Sequence, residues 1–177
     1  SMLAVLGLNI EEVEKILSNN QNNFVAQVAN DNSNGQIVLS GKTKDLQILS
    51  EFLKNNKIKN IKLPVSAPFH CSLMSKATMV MTEELQKINF KQSKNILISN
   101  VTAEEISNIE DLKGLLINQI EKRVRWRESI LYMINKGVNQ FIEIGPGKVL
   151  SGLVKRINKD VKISSINSQS DIEALNI

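Results

Sequence analysis

Residues 24–40 read FVAQVANDNSNGQIVLS, and this stretch decides the fold of the first part of the chain. Residues 24–29 form a short, largely apolar run, and residues 36–40 form a second run of mostly aliphatic side chains. Between them, residues 31–35 consist of Asp, Asn, Ser and Gly, which favour turns. The pattern predicts two strands joined by a turn-rich link.

A helix is predicted on each side of this pair of strands. Asn9 and Glu12 have the spacing of a capping box, in which Asn9 accepts from first-turn amides and Glu12 reaches back. A polar break over residues 19–23 separates this first helix from the strands. The apolar residues repeat at helical spacing, as Ile10, Val13, Ile16 and Leu17 in the first helix and as Leu46, Leu49, Phe52 and Leu53 in the second.

Apolar strands are also predicted at the two ends of this region, over residues 2–6 and 61–65. The predicted order is therefore β-α-β-β-α-β, which is the ferredoxin-like arrangement. We expect residues 1–64 to form this small α+β subdomain, with a boundary near the prolines of residues 64–68.

Residues 65–177 alternate between helical and strand patterns. Strands are predicted over 96–100, 141–144 and 161–166. Apolar side chains at helical spacing mark four helices: Met74, Ala77, Met81, Leu85 and Ile88; Leu112, Leu116 and Ile120; Trp126, Ile130, Met133 and Ile134; and Leu150, Leu153, Val154 and Ile157. The alternation favours an α/β class with a mostly parallel sheet.

Two local sequence signals predict where one of these helices begins and where another ends. Ser107 with Glu110 predicts a second capping box, at the start of the helix that carries Leu112. Gly137 is placed to end the Trp126 helix in the left-handed conformation.

The composition of the 177 residues limits the chemistry. One cysteine cannot form an intrachain disulfide, and one histidine with one cysteine excludes metal sites built from several of these ligands. The net charge of +4 is small and only 4% of the residues are aromatic, so the composition disfavours nucleic-acid binding. The sequence contains no apolar run of about 20 residues, so we expect a cytoplasmic protein without a membrane span.

His70 is the candidate for acid–base chemistry, because it is the single histidine of the chain. It lies in a loop that contains Pro64 and Pro68 and that follows a predicted strand, where α/β folds often place reactive groups. An imidazole there can act as general base for a nucleophile from elsewhere, although a structural role is the alternative. Cys71 is expected to be a small buried residue.

A second candidate is the glycine-rich turn Gly145-Pro146-Gly147-Lys148, which precedes a predicted helix. The helix N-terminus offers an anion site, but a tight turn that needs glycine is the favoured interpretation. The spacing is not that of a P-loop. Two basic clusters, Lys122, Arg123, Arg125 and Arg127 and then Lys148, Lys155, Arg156 and Lys159, are either a solvated face or a surface for an acidic partner.

Five ordered motifs together resemble one family. They are Asn32-Ser33-Asn34-Gly35-Gln36-Ile37-Val38-Leu39-Ser40-Gly41, Val65-Ser66-Ala67-Pro68-Phe69-His70, Ser99-Asn100-Val101-Thr102-Ala103, Val124-Arg125-Trp126 and Glu143-Ile144-Gly145-Pro146-Gly147-Lys148-Val149-Leu150-Ser151-Gly152-Leu153. The chain resembles the malonyl-CoA:acyl carrier protein transacylases of fatty acid biosynthesis along essentially its whole length. The resemblance implies a ferredoxin-like subdomain together with the C-terminal part of an α/β-hydrolase-like acyltransferase subdomain.

The resemblance also implies roles for four residues. In the family, a serine in a G-H-S-L-G elbow attacks the malonyl thioester, and His70 matches the histidine that acts as its general base. Gln119 matches the residue whose backbone carbonyl orients that histidine. Asn32 matches an asparagine beside the cleft, and Phe69 resembles the bulky residue that leaves no room for a branched acyl group. The implied partners are malonyl-CoA and phosphopantetheinylated acyl carrier protein, with no cofactor.

The chain departs from the family because no Gly-x-Ser-x-Gly sequence occurs in it. We therefore expect a C-terminal portion that is inactive alone, whose partner is the missing N-terminal half and whose uncovered apolar surface promotes association. Two alternatives are a docking fragment for the acidic carrier protein and a ferredoxin-like RNA-binding module. The strands over 2–6 and 36–40 lack the aromatic residues on which RNA bases stack, which disfavours RNA.

Overall fold

The four-stranded sheet of the first part of the chain is antiparallel, with strand order β2-β3-β1-β4. The computed structural model describes residues 1–19 and 24–175. The elements are β1 (Met2–Leu6), α1 (Ile10–Ser18), β2 (Ala26–Ser33), β3 (Gln36–Gly41), α2 (Thr43–Asn55) and β4 (Asn60–Lys62). Their order and pairing confirm the predicted ferredoxin-like arrangement.

Side-chain alternation along β1 explains how the sheet is covered. Leu3 and Val5 point to the face on which both helices pack, whereas Met2 and Ala4 point to the other face. The helix-covered face holds the main core, which consists of Leu3, Val5, Ile10, Val13, Phe24, Ile37, Leu39, Leu46, Leu49 and Leu53. The helical stripes predicted from the sequence therefore face this core.

The first capping box is present as predicted. The Asn9 side chain accepts from the Glu12 backbone N–H at 2.8 Å, and the Glu12 carboxylate accepts from the Asn9 backbone N–H at 2.8 Å. This reciprocal pair satisfies two donors at the N-terminus of α1, because the first turn of a helix has no internal acceptors for them.

Two strand boundaries differ from the prediction. The predicted turn-rich link over 31–35 is wrong for residues 31–33, because β2 continues to Ser33 with irregular register on both sides of Asn30 and Asp31. The turn is confined to Asn34 and Gly35, and Gly35 has a φ of +80°, which favours glycine. β4 has three residues rather than the predicted 61–65. Residues 20–23 of the predicted polar break lie outside the described residues.

The chain divides into two compact units, Ser1–Ser129 and Ile130–Ile177. The predicted boundary between residues 64 and 65 lies within the first unit and stays a prediction. After β4, the first unit contains a 3₁₀-helix (Ser72–Met74), α3 (Ser75–Gln86), α4 (Ile109–Asn118) and the start of α5 (Trp126–Asn135).

Two predictions in this region are wrong. Residues 96–100 form no strand, and Ile98 makes an isolated antiparallel bridge with Glu105 because the neighbouring backbone turns back on itself. The cap of α4 is Asn108 rather than Ser107, and its side chain accepts from the Glu110 backbone N–H at 3.0 Å. Serine and asparagine are both good caps, so the residue next to Ile109 takes the role.

A short segment before α5 is attached to the edge of the sheet. The Val124 backbone N–H donates to Ala29 O at 2.8 Å, and the Asp31 backbone N–H donates to Val124 O at 2.9 Å. Arg127 Nη2 lies 2.8 Å from Asp31 Oδ2, and the Asp31 side chain is fully buried. These bonds cover the open edge of β2 and hold residues 124–127 against it.

The second unit contains the remainder of α5, β5 (Gln140–Ile144), α6 (Val149–Ile157), β6 (Lys162–Ile166) and α7 (Gln169–Glu173). β5 and β6 are parallel and are connected through α6, as the alternating pattern predicted. Gly137 has a φ of +92°, which confirms the predicted left-handed helix end. Helix α7 was not predicted, although it has its own capping box between Ser168 and Asp171. None of the described helices is both long and apolar enough to cross a membrane.

Candidate active site

His70 lies in the turn between β4 and the 3₁₀-helix, in the first compact unit. Its φ is +59°, a left-handed conformation that residues other than glycine adopt rarely. The preceding peptide is held by the Ser40 hydroxyl, which donates to Phe69 O at 2.5 Å. The following residue is fixed because Cys71 is buried and its carbonyl accepts from the Met74 backbone N–H at 3.0 Å. Such local strain is often found at functional sites.

The imidazole of His70 contacts the backbone of a residue 49 positions away. Its Nδ1 lies 2.7 Å from the carbonyl oxygen of Gln119, the C-cap residue of α4. A carbonyl oxygen only accepts, so Nδ1 carries the proton in this contact. In the neutral ring Nε2 is then left with its lone pair, and no hydrogen bond within residues 1–19 and 24–175 involves this atom. The ring is thus oriented as a general base requires.

The end of α4 explains why the Gln119 carbonyl is available. The Gln119 backbone N–H donates to Leu115 O at 3.0 Å, and Asn118 O accepts from the Lys122 backbone N–H at 2.9 Å. The last carbonyls of a helix have no partner within it, so they bond to groups outside. For Gln119, the outside group is the Nδ1–H of His70, which donates to its carbonyl oxygen.

The side chain of Gln119 is also held. Asn100 Nδ2 donates to Gln119 Oε1 at 3.3 Å, and the Arg125 backbone N–H donates to Asn100 O at 2.9 Å. The motifs that contain Asn100 and Arg125 are therefore brought next to the His70 site. Both motifs carry the family resemblance, but no role is predicted for Asn100 from the sequence.

Of the four implied residues, His70 and Gln119 are in direct contact. Phe69 adjoins His70 in the chain, and its side chain is exposed. Asn32 is half-buried in β2, and within the described part of the chain no hydrogen bond joins it to His70. His70 and Gln119 form the described site, whereas the positions of Asn32 and Phe69 leave their implied roles as predictions.

Known transacylases resemble this chain closely. No family model matches. The malonyl CoA-acyl carrier protein transacylase of Bacillus subtilis is 41% identical over 175 residues, which are 98% of this chain and 55% of the relative. That of Staphylococcus aureus strain COL is 37% identical over 178 residues, 99% of this chain and 58% of the relative. This chain is homologous to part of the malonyl CoA-acyl carrier protein transacylases.

Solved structures agree with this homology to the transacylases. The malonyl CoA-acyl carrier protein transacylase of Clostridium perfringens superposes with a TM-score of 0.91 at 41% identity, over 98% of this chain and 55% of that one. A malonyl-transacylase in complex with a type II PKS acyl-carrier protein gives a TM-score of 0.90 at 29% identity, over 98% of this chain and 56% of that one. The chain spans about half the length of the relatives that it matches.

In the second unit of this transacylase homologue, amides at the start of α6 are capped by a carboxylate of the chain itself. The Glu143 carboxylate accepts from the backbone N–H groups of Leu150 at 3.1 Å and Ser151 at 2.7 Å. The pKa of Glu143 is lowered by hydrogen bonds to its carboxylate. The largest effect comes from the Ser151 hydroxyl, followed by the backbone amides of Ser151 and Leu150. Gly145 and Gly147 have φ values of +137° and +93°, so the tight-turn interpretation is confirmed.

Three arginines of the first basic cluster form ion pairs. Arg123 lies 3.0 Å from Glu14 and 3.3 Å from Glu128, Arg125 also pairs with Glu128, and Arg127 pairs with Asp31. The hydrogen bond to Glu128 raises the pKa of Arg125, and the hydrogen bond to Asp31 raises the pKa of Arg127. These side chains are held against the protein rather than free in a solvated face.

Proposed function

We propose that this chain is the part of a malonyl-CoA:acyl carrier protein transacylase that supplies the general base. The observation that carries the proposal is the 2.7 Å contact between His70 Nδ1 and the Gln119 carbonyl, in a chain homologous to such enzymes. The carbonyl takes the place of the usual carboxylate partner, because it accepts from Nδ1 and fixes the ring.

The reaction has two half-reactions that use the same histidine. His70 Nε2 removes the proton of a serine hydroxyl, the serine oxygen forms a bond to the malonyl thioester carbon, and the bond to CoA sulfur breaks. The imidazolium returns the proton to the departing CoA thiolate. In the second half, Nε2 takes the proton of the carrier-protein thiol, whose sulfur attacks the acyl-serine, and the proton returns to the serine oxygen.

The Gln119 carbonyl assists both half-reactions at the stage when the His70 ring is an imidazolium. Each half-reaction passes through an imidazolium, and a carbonyl oxygen that accepts from Nδ1 stabilises this cation. Every step moves a proton or an acyl group between side chains and thiols, so the proposal invokes no cofactor. Phe69 is proposed to line the acyl site, where its ring excludes branched acyl groups, and Asn32 is proposed to border the cleft.

The nucleophilic serine is proposed to come from the portion of the transacylases that these 177 residues do not cover, because they contain no Gly-x-Ser-x-Gly sequence. Exposed apolar residues support a further covering segment. In α3, Met79 is 67% exposed and Val80 is 60% exposed, and Leu85 is the buried member of the predicted apolar stripe. Surfaces of this kind usually mark an interface. The acyl carrier protein is the proposed acceptor, supported by the homologue solved in complex with its carrier protein.

Complementation tests this function. The 177-residue chain is combined with the portion of the Bacillus subtilis relative that it does not cover, and malonyl transfer from malonyl-CoA to acyl carrier protein is measured. We expect no transfer by the chain alone and transfer by the combination. His70→Ala in the combination is expected to lower the rate by at least about 10²-fold, the usual contribution of a general base.

Lys94→Ala is the matched control, because Lys94 is exposed and has no role in the proposal. A single polypeptide that joins the two portions removes any dependence on their association. Robust transfer by the 177-residue chain alone, or full activity of the His70→Ala combination, would contradict the proposal.

A further inference from the structure

The carbonyl of Gln119 lies at the very end of α4, where the residue still has helical φ and ψ of −64° and −15°. Gln119 is the C-cap of α4, and the chain turns immediately afterwards. Its carbonyl accepts from His70 instead of from a backbone amide, so no intrahelical hydrogen bond restrains the oxygen. Helix ends fray readily, and the amide of Asn100 contacts the Gln119 side chain and restrains this last residue of the helix.

Asn100 is itself held by a loop with several internal hydrogen bonds. The Ser99 hydroxyl accepts from the Val101 backbone N–H at 3.1 Å, and Ser99 O accepts from the Ala103 backbone N–H at 2.9 Å. Ala103 has a φ of +61°, which residues other than glycine rarely adopt. The Asn100 carbonyl accepts from the Arg125 backbone N–H at 2.9 Å, which ties the loop to the segment after α4.

Arg125 holds the same loop a second time. Its Nη1 donates to Thr102 O at 3.1 Å, and its other terminal nitrogen pairs with Glu128. The backbone and the side chain of one residue thus fix both ends of the 100–102 segment. This rigidity allows the short amide of Asn100 to act as a fixed donor.

We propose that Asn100 is a positioning residue that holds Gln119 so that its backbone carbonyl faces His70 Nδ1. The 3.3 Å bond from Asn100 Nδ2 to Gln119 Oε1 is the link. The importance of Asn100 for acyl transfer rests on the proposed function. Its effect on the orientation of the His70 imidazole does not, and can be measured in this chain alone.

The single histidine makes a direct spectroscopic test possible. In the 177-residue chain labelled with ¹⁵N-histidine, every imidazole signal belongs to His70. We expect the neutral wild-type ring to show the tautomer protonated at Nδ1, with that proton protected from exchange with water. Asn100→Ala is expected to accelerate this exchange about five-fold and to increase the tautomer protonated at Nε2, as loss of a hydrogen bond worth about 1 kcal/mol predicts.

Gln119→Ala provides the second arm, because it removes the side chain that Asn100 contacts and keeps the backbone carbonyl. If the two residues act as a unit, the single variants and the double variant give the same change in exchange and tautomer. Asn100→Asp is the conservative variant, since a rotated Gln119 amide donates to its carboxylate, and we expect it to restore much of the wild-type spectrum.

Asn108→Ala is the matched control. It removes the cap at the opposite end of α4 and weakens the helix without touching Gln119, so the wild-type imidazole spectrum is expected. An unchanged spectrum in a folded Asn100→Ala chain, or additive effects in the double variant, would overturn the proposal. The imidazole measurement requires no acyl transfer, so failure of the complementation assay with these spectral changes intact would count against the proposed function alone.

Discussion

At the scale of single residues, Ser40 and Ser33 are buried hydroxyls on neighbouring strands that differ in their hydrogen bonds. Ser40 donates to Phe69 O beside the strained His70, whereas the Ser33 hydroxyl has no partner among the described residues. We expect Ser40→Ala to lower the free energy of unfolding by about 1 kcal/mol and Ser33→Ala to leave it unchanged or raise it. Urea unfolding of the two variants checks this, and equal losses would refute it.

Also at the scale of single residues, the ionisation of Glu143 makes the free energy of unfolding depend on pH. Its pKa is lowered from the ordinary 4.5 because the Ser151 hydroxyl and the amides of Ser151 and Leu150 donate to its ionised form. The contribution to stability is therefore fully present above the unfolded-state pKa and is lost as the pH falls through the lower folded-state value. We expect Glu143→Gln to be less stable than the wild type at neutral pH, with the difference shrinking below about pH 4.5.

Urea unfolding across this pH range measures the effect of Glu143→Gln. Glu51→Gln is the control, since the Glu51 carboxylate is exposed on α2, and its stability difference is expected to stay small at every pH. A difference for Glu143→Gln that is constant from neutral to acid pH would contradict the assignment.

Local sequence predicted several single-residue features correctly. The capping box of Asn9 and Glu12 depends on neighbours three residues apart, which any folded context preserves. The contact between His70 and Gln119 spans 49 residues, and no spacing rule predicts it. Only the resemblance to a family suggested that pair, and the resemblance assigned no role to Asn100.

At the scale of elements, the ion pair of Arg127 with the buried Asp31 attaches the start of α5 to the edge strand β2. Arg127 Nε lies 3.1 and 3.0 Å from the two carboxylate oxygens of Asp31, and Nη2 lies 2.8 Å from Oδ2. We expect Arg127→Met to cost about 3 kcal/mol or more in the free energy of unfolding, because it leaves a buried carboxylate unpaired. Urea unfolding measures the loss.

The double variant Asp31→Asn with Arg127→Met is the informative comparison for this pair. It removes both charges, so we expect it to recover most of the stability that Arg127→Met alone loses. A double variant as unstable as the sum of the two single variants would show that the ion pair is not what couples the start of α5 to β2.

Element types were more predictable than their ends. The apolar periodicity of α1, α2 and α6 is strong, and each helix was predicted from it. Residues 96–100 have a strand-like composition but form an isolated bridge, because the sheet edge that they need as a partner is not beside them. Strand formation depends on that partner, whereas a helix makes its hydrogen bonds internally.

At the scale of the whole molecule, exposed apolar side chains predict self-association. Residues such as Met79, Ile96, Ile144 and Val149 are each at least 67% exposed. We expect sedimentation of the 177-residue chain to show oligomers that grow with concentration, and we expect the uncovered portion of the Bacillus subtilis relative to reduce them. Bovine serum albumin at the same concentration is the control, and a chain that stays monomeric at high concentration would contradict the prediction.

The sequence by itself determined the α/β class, the βαββαβ order and the single candidate base, because these depend on periodicity and composition. Only the tertiary structure decided that the Gln119 carbonyl accepts from His70, that Glu143 caps α6 and that Asp31 pairs with Arg127. Such contacts join residues distant in the chain. They form because unpaired backbone and buried polar groups need partners, and only the folded chain determines which partner is close enough.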